Sequence, residues 1–168
     1  MATARQLLES EGRDGLTMRR LAEEIGIKAP SLYKHLPDKA ALEAALVEEA
    51  LAEVGAALHA SLDDAGTLAP VDALLGTYRA YGTAHPNLYR LATAGTLPRA
   101  ALPEGLEEWA GNPFFRATGE PHSAQALWAF AHGMVVLEID GRFADVSQLD
   151  ETWRAGATAF AQPARTGS

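Results

Sequence analysis

The sequence has 168 residues, a formal net charge of −8 at pH 7 and no cysteine, which excludes disulfide bonds and thiolate metal sites. No run of about 18 apolar residues is present, so the sequence predicts no membrane-spanning helix and no membrane partner. Residues 1–12 lack the apolar stretch of a secretory signal. We therefore expect a protein of the reducing cytoplasm.

The charge is unevenly distributed along the chain. Residues 1–39 carry seven basic and six acidic side chains, whereas residues 40–168 carry seven basic and sixteen acidic ones. Every lysine lies before residue 40. Because phosphate binding requires local positive charge rather than a positive total, this distribution is compatible with a protein that docks on nucleic acid by its N-terminal end.

Three short helices are predicted first. Residues 4–11 form the end of a helix that Gly12 terminates, and we expect its first turns to be missing. Thr17 is a suitable N-cap for a second helix over residues 18–25, which Gly26 ends. A third helix begins at Ala29 or Pro30. The inward-facing apolar residues predicted for this core are Ala4, Leu7, Leu8, Leu21, Ala22, Ile25, Ile27, Leu32 and Leu36.

The remaining elements are also helical in pattern. A long helix is predicted over residues 39–60, capped by Asp38, followed by helices over residues 71–85 and 88–94. Residues 95–121 contain eight glycines and prolines, which predicts no long element and one short helix over residues 104–110. An eighth helix, residues 123–143, is apolar nearly all round, which favours burial against a second subunit. A ninth covers residues 149–161.

These elements predict an all-α fold in two domains. Residues 1–38 form a three-helix bundle with a helix-turn-helix. The long helix then connects it to a helical domain for ligand binding and dimerisation, so that this second domain covers residues 39–162. Residues 163–168 are polar and are expected to be a frayed tail.

The strongest motif lies between Thr17 and Lys39, where a glycine turn joins two short helices. The outward positions of the second of these helices are Ser31, Tyr33, Lys34 and His35. All four side chains can donate hydrogen bonds to phosphates or base edges. Lysine at the start of the next helix also suits a phosphate.

The string LTMRRLAEEIGIKAPSLYKHLPDKAAL, residues 16–42, closely resembles the DNA-binding segment of the TetR family of regulators, with Leu36 where phenylalanine is usual. The resemblance implies that Thr17 and Lys39 hold phosphates and that residues 28–35 enter the major groove. It implies that Tyr33 and His35 contact mainly the DNA backbone. The residues left to read bases are Lys28, Ala29, Pro30, Ser31 and Lys34.

A weaker resemblance extends into the C-terminal half. Trp128, His132-Gly133 and Leu137-Glu138 match the order of residues in one C-terminal domain type of that family. The family implies a pocket for a small apolar or amphipathic effector among the fifth to eighth helices, without naming its residues. The aromatic candidates, each of which is also an ordinary core residue, are Tyr78, Tyr81, Trp109, Phe114, Phe115 and Trp128, with His132 beside them. His132 has three interpretations: core packing, a ligand or dimer contact, or a metal ligand.

The predicted function is a DNA-binding regulator, in the first instance an effector-responsive repressor that binds a palindromic operator as a homodimer. Helices eight and nine would form the dimer interface, with Trp128, Val135, Ile139, Trp153 and Phe160 as candidates. Its expected partners are double-stranded DNA, a second copy and an unidentified effector, and its expected place is the cytoplasm, associated with the nucleoid.

Two other interpretations remain at this point. One is a helical interaction or scaffold protein whose DNA-binding head is defective. The other is a helical enzyme, but the sequence contains no nucleophile motif, no phosphate-binding glycine loop and no histidines at metal-ligand spacing. We therefore predict no catalytic residue, no metal site and no cofactor.

Overall fold

A computed structural model describes residues 1–66 and 68–161, and within these residues the regular structure is entirely helical, as predicted. The predicted tail, residues 163–168, lies outside the described residues. The helices are α1 (Ala2–Gly15), α2 (Met18–Glu24), α3 (Ala29–Leu32), α4 (Lys39–Asp63), α5 (Pro70–Ala84), α6 (Pro86–Thr93), α7 (Leu106–Thr118), α8 (Pro121–Ile139) and α9 (Leu149–Phe160), with a 3₁₀ turn at Arg99–Ala101. None of the described helices is both long and apolar enough to cross a bilayer.

The chain divides into two compact units. The first unit comprises residues 1–53 and 85–106, and the second comprises residues 54–84 together with the described residues from 107 onward. The first unit is larger than the predicted three-helix head because its core extends beyond residue 38. Leu42 and Leu46 of α4 and Leu88 of α6 are fully buried in the same cluster as Leu8 of α1.

Glycines set the ends of the first two helices. Gly12 has φ +72°, a conformation that L side chains rarely adopt, and it interrupts α1 before a last turn that runs to Gly15. Gly26 has the same φ and lets the chain leave α2, where the amide of Ile27 donates to the carbonyl of Ala22 at 3.0 Å. Both breaks were predicted from the sequence.

Ile25 and Ile27 do not belong to the core as predicted, since each is 41% exposed. The reason is that both residues flank Gly26 at the end of α2, which leaves them outside the buried cluster to which Leu21 and Ala22 belong. The third helix is short and begins at Ala29, one of the two predicted starts. It ends at Leu32, and residues 33–35 form a turn. After this turn, the amide of Leu36 still donates to the carbonyl of Leu32 at 3.0 Å.

In the second unit, α5 packs against both α8 and α9, and α8 packs against α9. Its buried side chains include Leu74, Tyr78, Leu127, Val135 and Trp153. Close packing of α8 and α9 depends on Gly156, because a Cβ there would overlap the ring of Phe130. The eighth helix ends at Ile139 rather than at residue 143, since Gly141 takes φ +61° just beyond it.

The seventh helix corrects the prediction for residues 95–121. It is 13 residues long and continues through Gly111 and Pro113, where only a short helix over residues 104–110 was expected. Proline at 113 removes the amide that would donate to the carbonyl of Trp109 four residues earlier. Nε2 of His59, on α4, lies 3.0 Å from that carbonyl oxygen and replaces the missing donor.

Candidate nucleic-acid interface

The residues predicted to contact DNA lie together in the first unit, between the start of α2 and the start of α4. Seven of them are exposed: Thr17, Lys28, Pro30, Ser31, Tyr33, Lys34 and His35. Ala29 and Lys39 are half-buried. The exposed positions supply cationic and hydrogen-bonding side chains, and we call the segment that holds them, residues 17–39, the helix-turn-helix surface.

Core contacts hold this surface in place. Leu32 is 6% exposed, and Ala29 and Leu36 pack partly buried against the same cluster. Because these three residues anchor α3 and the turn after it from one side, Tyr33 and Lys34 are left facing solvent, with Tyr33 49% exposed. The alternation of anchored and outward residues is the one that the sequence pattern predicted.

Capping hydrogen bonds define the two helix starts at the edges of the surface. The hydroxyl of Thr17 accepts from the amide of Arg20 at 3.1 Å, as its predicted role as the N-cap of α2 requires. Asp38 does the same for α4, where its Oδ1 accepts from the amide of Ala41 at 2.8 Å. Both caps fix the backbone of the helix-turn-helix, and neither uses Ser31, Tyr33, Lys34 or His35.

Lys39 ties the start of α4 to the end of α1. Its Nζ donates to the carbonyl of Arg13 at 2.7 Å and lies 3.7 Å from Oε1 of Glu43. Arg13 in turn donates from Nε and Nη2 to the two carboxylate oxygens of Glu43, at 2.9 and 2.8 Å. This hydrogen-bonded pairing with Arg13 lowers the pKa of Glu43 below its ordinary value.

Sequence reasoning missed Arg19, which stands in the first turn of α2 beside Thr17. Its side chain is 86% exposed and makes only a long contact, 3.6 Å, with Glu23. Arg20, by contrast, is held by Glu11 and Glu24 at 3.0 and 2.7 Å. The only signal in the sequence was its position: Arg19 is a long cationic residue in the first turn of the helix that Thr17 caps.

Of the seven predicted effector-pocket residues, Tyr78 meets Phe114 and Trp128 meets His132 in the second unit. Tyr78 and Phe114 are buried and meet edge to face, with ring centroids 5.5 Å apart. Trp109, Phe115 and Trp128 are 42%, 45% and 48% exposed, so they do not line a closed cavity. The remaining predicted members, Tyr81 and His132, are half-buried.

Half-buried His132 stacks on Trp128, with ring centroids 5.8 Å apart. Burial lowers the pKa of His132, because removing the imidazole from water disfavours its charged form. Neutral imidazole against an indole face is consistent with the packing interpretation of this residue.

A groove of about 180 Å³ lies between α5 and α9. It contains none of the seven predicted pocket residues. Its lining combines charged side chains of both signs with apolar residues: Asp72, Leu75, Gly76, Arg79, Asp150, Trp153, Arg154 and Ala157. Gly76 leaves open space, since nothing lies within 4 Å of the position of a Cβ there.

An ionic cluster joins the three helices around this groove. Arg79 of α5 donates from Nε and Nη2 to Glu138 of α8, at 2.9 and 2.8 Å, and from Nη1 to Asp150 of α9 at 2.5 Å. Trp153 donates its indole N–H to Glu138 at 3.1 Å, and Arg79 lies over its ring. Hydrogen bonding to Glu138 raises the pKa of Arg79, and hydrogen bonding to Arg79 lowers that of Asp150.

The predicted dimer residues fall into two groups. Val135 is fully buried and Trp153 is 6% exposed within the second unit, so the structure corrects the prediction that these two side chains face a partner. Ile139 and Phe160 are half-buried, and Trp128 is exposed. The pattern had suggested outward placement because α8 is apolar on every side, which does not distinguish the inner face from the outer.

Comparison with protein families gives two matches. The family model for bacterial regulatory proteins of the tetR family matches residues 1–46. The tetracyclin repressor-like C-terminal domain matches residues 71–160, more than half of the chain. The chain belongs to the TetR family.

Individual relatives agree with this assignment. An uncharacterized HTH-type transcriptional regulator of Mycobacterium tuberculosis is 29% identical over 153 residues, covering 83% of this chain and 68% of that protein. The class A tetracycline repressor from transposon 1721 of Escherichia coli is 52% identical over 50 residues, which are 30% of this chain and 23% of the repressor. A protein of unknown function from Rhodococcus sp. RHA1 has the same fold, with a TM-score of 0.80, 27% identity and coverage of 96% and 93% of the two chains. The chain is therefore a DNA-binding transcriptional regulator.

Proposed function

We propose that this regulator is an effector-responsive repressor that binds a palindromic operator as a homodimer. The observation that carries the proposal is the helix-turn-helix surface, on which Lys28, Tyr33, Lys34 and His35 are exposed while Leu32 anchors the element behind them. Arg19, 86% exposed beside the cap of α2, extends the set of candidate DNA contacts. Repression follows from a protein that occupies promoter DNA, because the bound protein blocks access to the promoter.

The outward face of α8 supports dimerisation. With about 100° per residue, Ala129, Gly133 and Val136 lie along the middle of the face that turns away from α5 and α9. Trp128 and Leu137, 48% and 42% exposed, border that face. Nothing lies within 4 Å of a Cβ at Gly133, so a helix of a second copy can approach closely there. Two copies joined this way would place two helix-turn-helix surfaces on the half-sites of a palindrome.

The effector belongs to the second unit in this proposal. Small apolar or amphipathic chemistry suits its buried aromatic pair Tyr78 and Phe114 and the mixed lining of the groove between α5 and α9. Binding regulates only if the effector has different affinities for the DNA-bound and released states of the dimer.

A salt titration of binding to the DNA upstream of the protein's own coding sequence tests the DNA-binding proposal. We expect dimer stoichiometry and an affinity that falls steeply with salt, because each phosphate contact contributes about 0.9 to the logarithmic slope. Lys34→Ala should lower that slope by about one contact. Tyr33→Ala should weaken binding with a smaller change of slope, since its hydroxyl carries no charge.

Arg142→Ala is the matched control, because it removes one exposed positive charge from the second unit and leaves the helix-turn-helix intact. Its binding should equal that of the parent chain. Weak binding that neither salt nor Lys34→Ala changes would contradict the repressor and favour a scaffold protein whose DNA-binding head is defective.

Sedimentation measurements test the homodimer. Leu137→Arg places a charge at the border of the proposed α8 face and should shift the protein to monomer. Val146→Arg, at a loop position that is 71% exposed, makes the same change away from that face and should leave the dimer intact. A parent chain that sediments as a monomer at micromolar concentration would refute the proposal.

A further inference from the structure

The start of α6 is capped by a residue 78 positions earlier in the chain. Oε2 of Glu9, on α1, accepts from the amide of Asn87 at 3.1 Å, and Oε1 accepts from the amide of Leu88 at 3.0 Å. The side chain of Asn87 donates back to the carbonyl of Glu9 at 2.9 Å. The residue in the usual capping position is His85, whose side chain makes no cap hydrogen bond. A carboxylate at this place satisfies two helix-terminal amides and also complements the helix dipole.

Apolar contacts reinforce the same attachment. Leu88, fully buried, belongs to one cluster with Leu7 and Leu8 of α1, and Leu91 and Ala92 pack against that cluster. Helix α6 therefore lies in the first unit by its core contacts as well as by its cap. The first unit holds the whole helix-turn-helix surface.

Connectivity places α6 directly after the second unit. Helix α5, which borders the groove and carries Arg79, ends at Ala84, and α6 begins at Pro86. One residue, His85, separates them. The start of α6, which Glu9 holds, therefore follows the end of α5 after a single residue.

We propose that Glu9 is a positioning residue whose carboxylate, beyond capping α6, makes α6 respond together with the helix-turn-helix. This inference rests on the proposed function, since it concerns how the helix-turn-helix surface is regulated. By the reciprocity of coupled equilibria, DNA bound to the helix-turn-helix must then also change the local stability of α6.

Amide hydrogen exchange of the full chain, with and without the duplex from upstream of its own coding sequence, tests this coupling. In the parent chain the duplex should slow exchange in α2 and α3 and also in α6. Glu9→Gln keeps the shape of the side chain, but its amide N–H would face a backbone N–H. In the free variant we expect α6 amides to exchange about tenfold faster, as for loss of a helix cap. The variant should bind the duplex within about threefold of the parent, with slowing in α2 and α3 retained and slowing in α6 lost.

Glu48→Gln removes the same charge from an exposed position of α4 and should behave as the parent chain. If the duplex still slows amide exchange in α6 of Glu9→Gln, the inference is overturned, even if exchange in the free variant is faster. Glu9 would then be a helix cap and nothing more. A parent chain that binds the duplex without slowing α6 would overturn it as well.

A parent chain that does not bind the duplex at all would refute the proposed function, and the inference would then be decided on the free protein. Faster exchange of both α6 and the α2–α3 segment in Glu9→Gln would support it. Faster exchange confined to α6 would overturn it.

Discussion

Nε2 of His59 donates a hydrogen bond to the carbonyl oxygen of Trp109 at 3.0 Å. A carbonyl can only accept, so this nitrogen carries the proton and Nδ1 is left to accept from Nη1 of Arg116, also at 3.0 Å. Arg116 reaches on to Asp63 at 2.6 Å, and the imidazole stacks on the Trp109 ring at 5.0 Å. Side chains of α4 thus compensate for the interruption that Pro113 makes in α7.

Replacing His59 by alanine should destabilise the second unit by about 1–2 kcal/mol, because the Trp109 carbonyl and Arg116 each lose a hydrogen-bond partner. Urea unfolding measures the change, with His122→Ala as a control at an exposed histidine. In a Pro113→Ala background the restored amide of residue 113 can reach the Trp109 carbonyl. The cost of His59→Ala should fall to about half there, and an equal cost in both backgrounds would contradict this account.

Glu138→Gln should destabilise the second unit by about 1–3 kcal/mol, since it turns a charged acceptor of Arg79 and Trp153 into a neutral amide. Arg79→Lys should also destabilise it, because an ammonium cannot reproduce the two-pronged contact with the carboxylate. Thermal or urea unfolding measures both variants. Glu151→Gln, an exposed charge in the first turn of α9, is the control and should change stability little. Equal stability of Glu138→Gln and the parent would show that the cluster contributes nothing.

The stability of the first unit should decrease in acid partly through Glu43. Its pKa is lowered in the folded chain by Arg13, so the folded state stabilises the ionised carboxylate relative to the unfolded state. That contribution is present above the unfolded value, about 4.3, and is lost as the pH falls through the lower folded value. Unfolding of the parent and Glu43→Gln should therefore differ at neutral pH, with the parent the more stable. The difference should shrink below pH of about 4.3, and a constant difference across that range would contradict the assignment.

Two glycine-to-alanine substitutions should change stability in opposite directions. Gly156→Ala places a Cβ against the Phe130 ring and should cost about 1–3 kcal/mol through overpacking. Gly76→Ala, mid-helix in α5 with open space around the Cβ position, should gain about 0.5–1 kcal/mol from helix propensity. Chemical denaturation decides both signs. A stabilised Gly156→Ala would mean that α8 and α9 do not pack through that glycine.

The helix-turn-helix was readable from sequence because its determinants are local. Thr17 caps α2 three residues away, Gly26 needs only its own backbone freedom, and the alternation of Leu32 and Leu36 with Tyr33 and Lys34 follows from helical periodicity within one turn. The same periodicity placed α4, α5 and α9 to within a few residues. The DNA contacts of these outward side chains remain predictions.

Features that depend on distant partners were decided only by the tertiary structure. Glycine and proline density argued against a long α7, but His59, 50 residues before Trp109, supplies the donor that Pro113 removes. An all-round apolar α8 could not reveal that Val135 faces inward while Trp128 faces solvent, because periodicity assigns a face only when the two sides differ in polarity. The sequence by itself determined where the helices other than α7 form, to within a few residues, and which side of the helix-turn-helix is exposed. That α6 belongs to the first unit was decided by its contacts with α1: Leu88 packs against Leu7 and Leu8, and the carboxylate of Glu9 meets the amides of residues 87 and 88 only after the chain has folded.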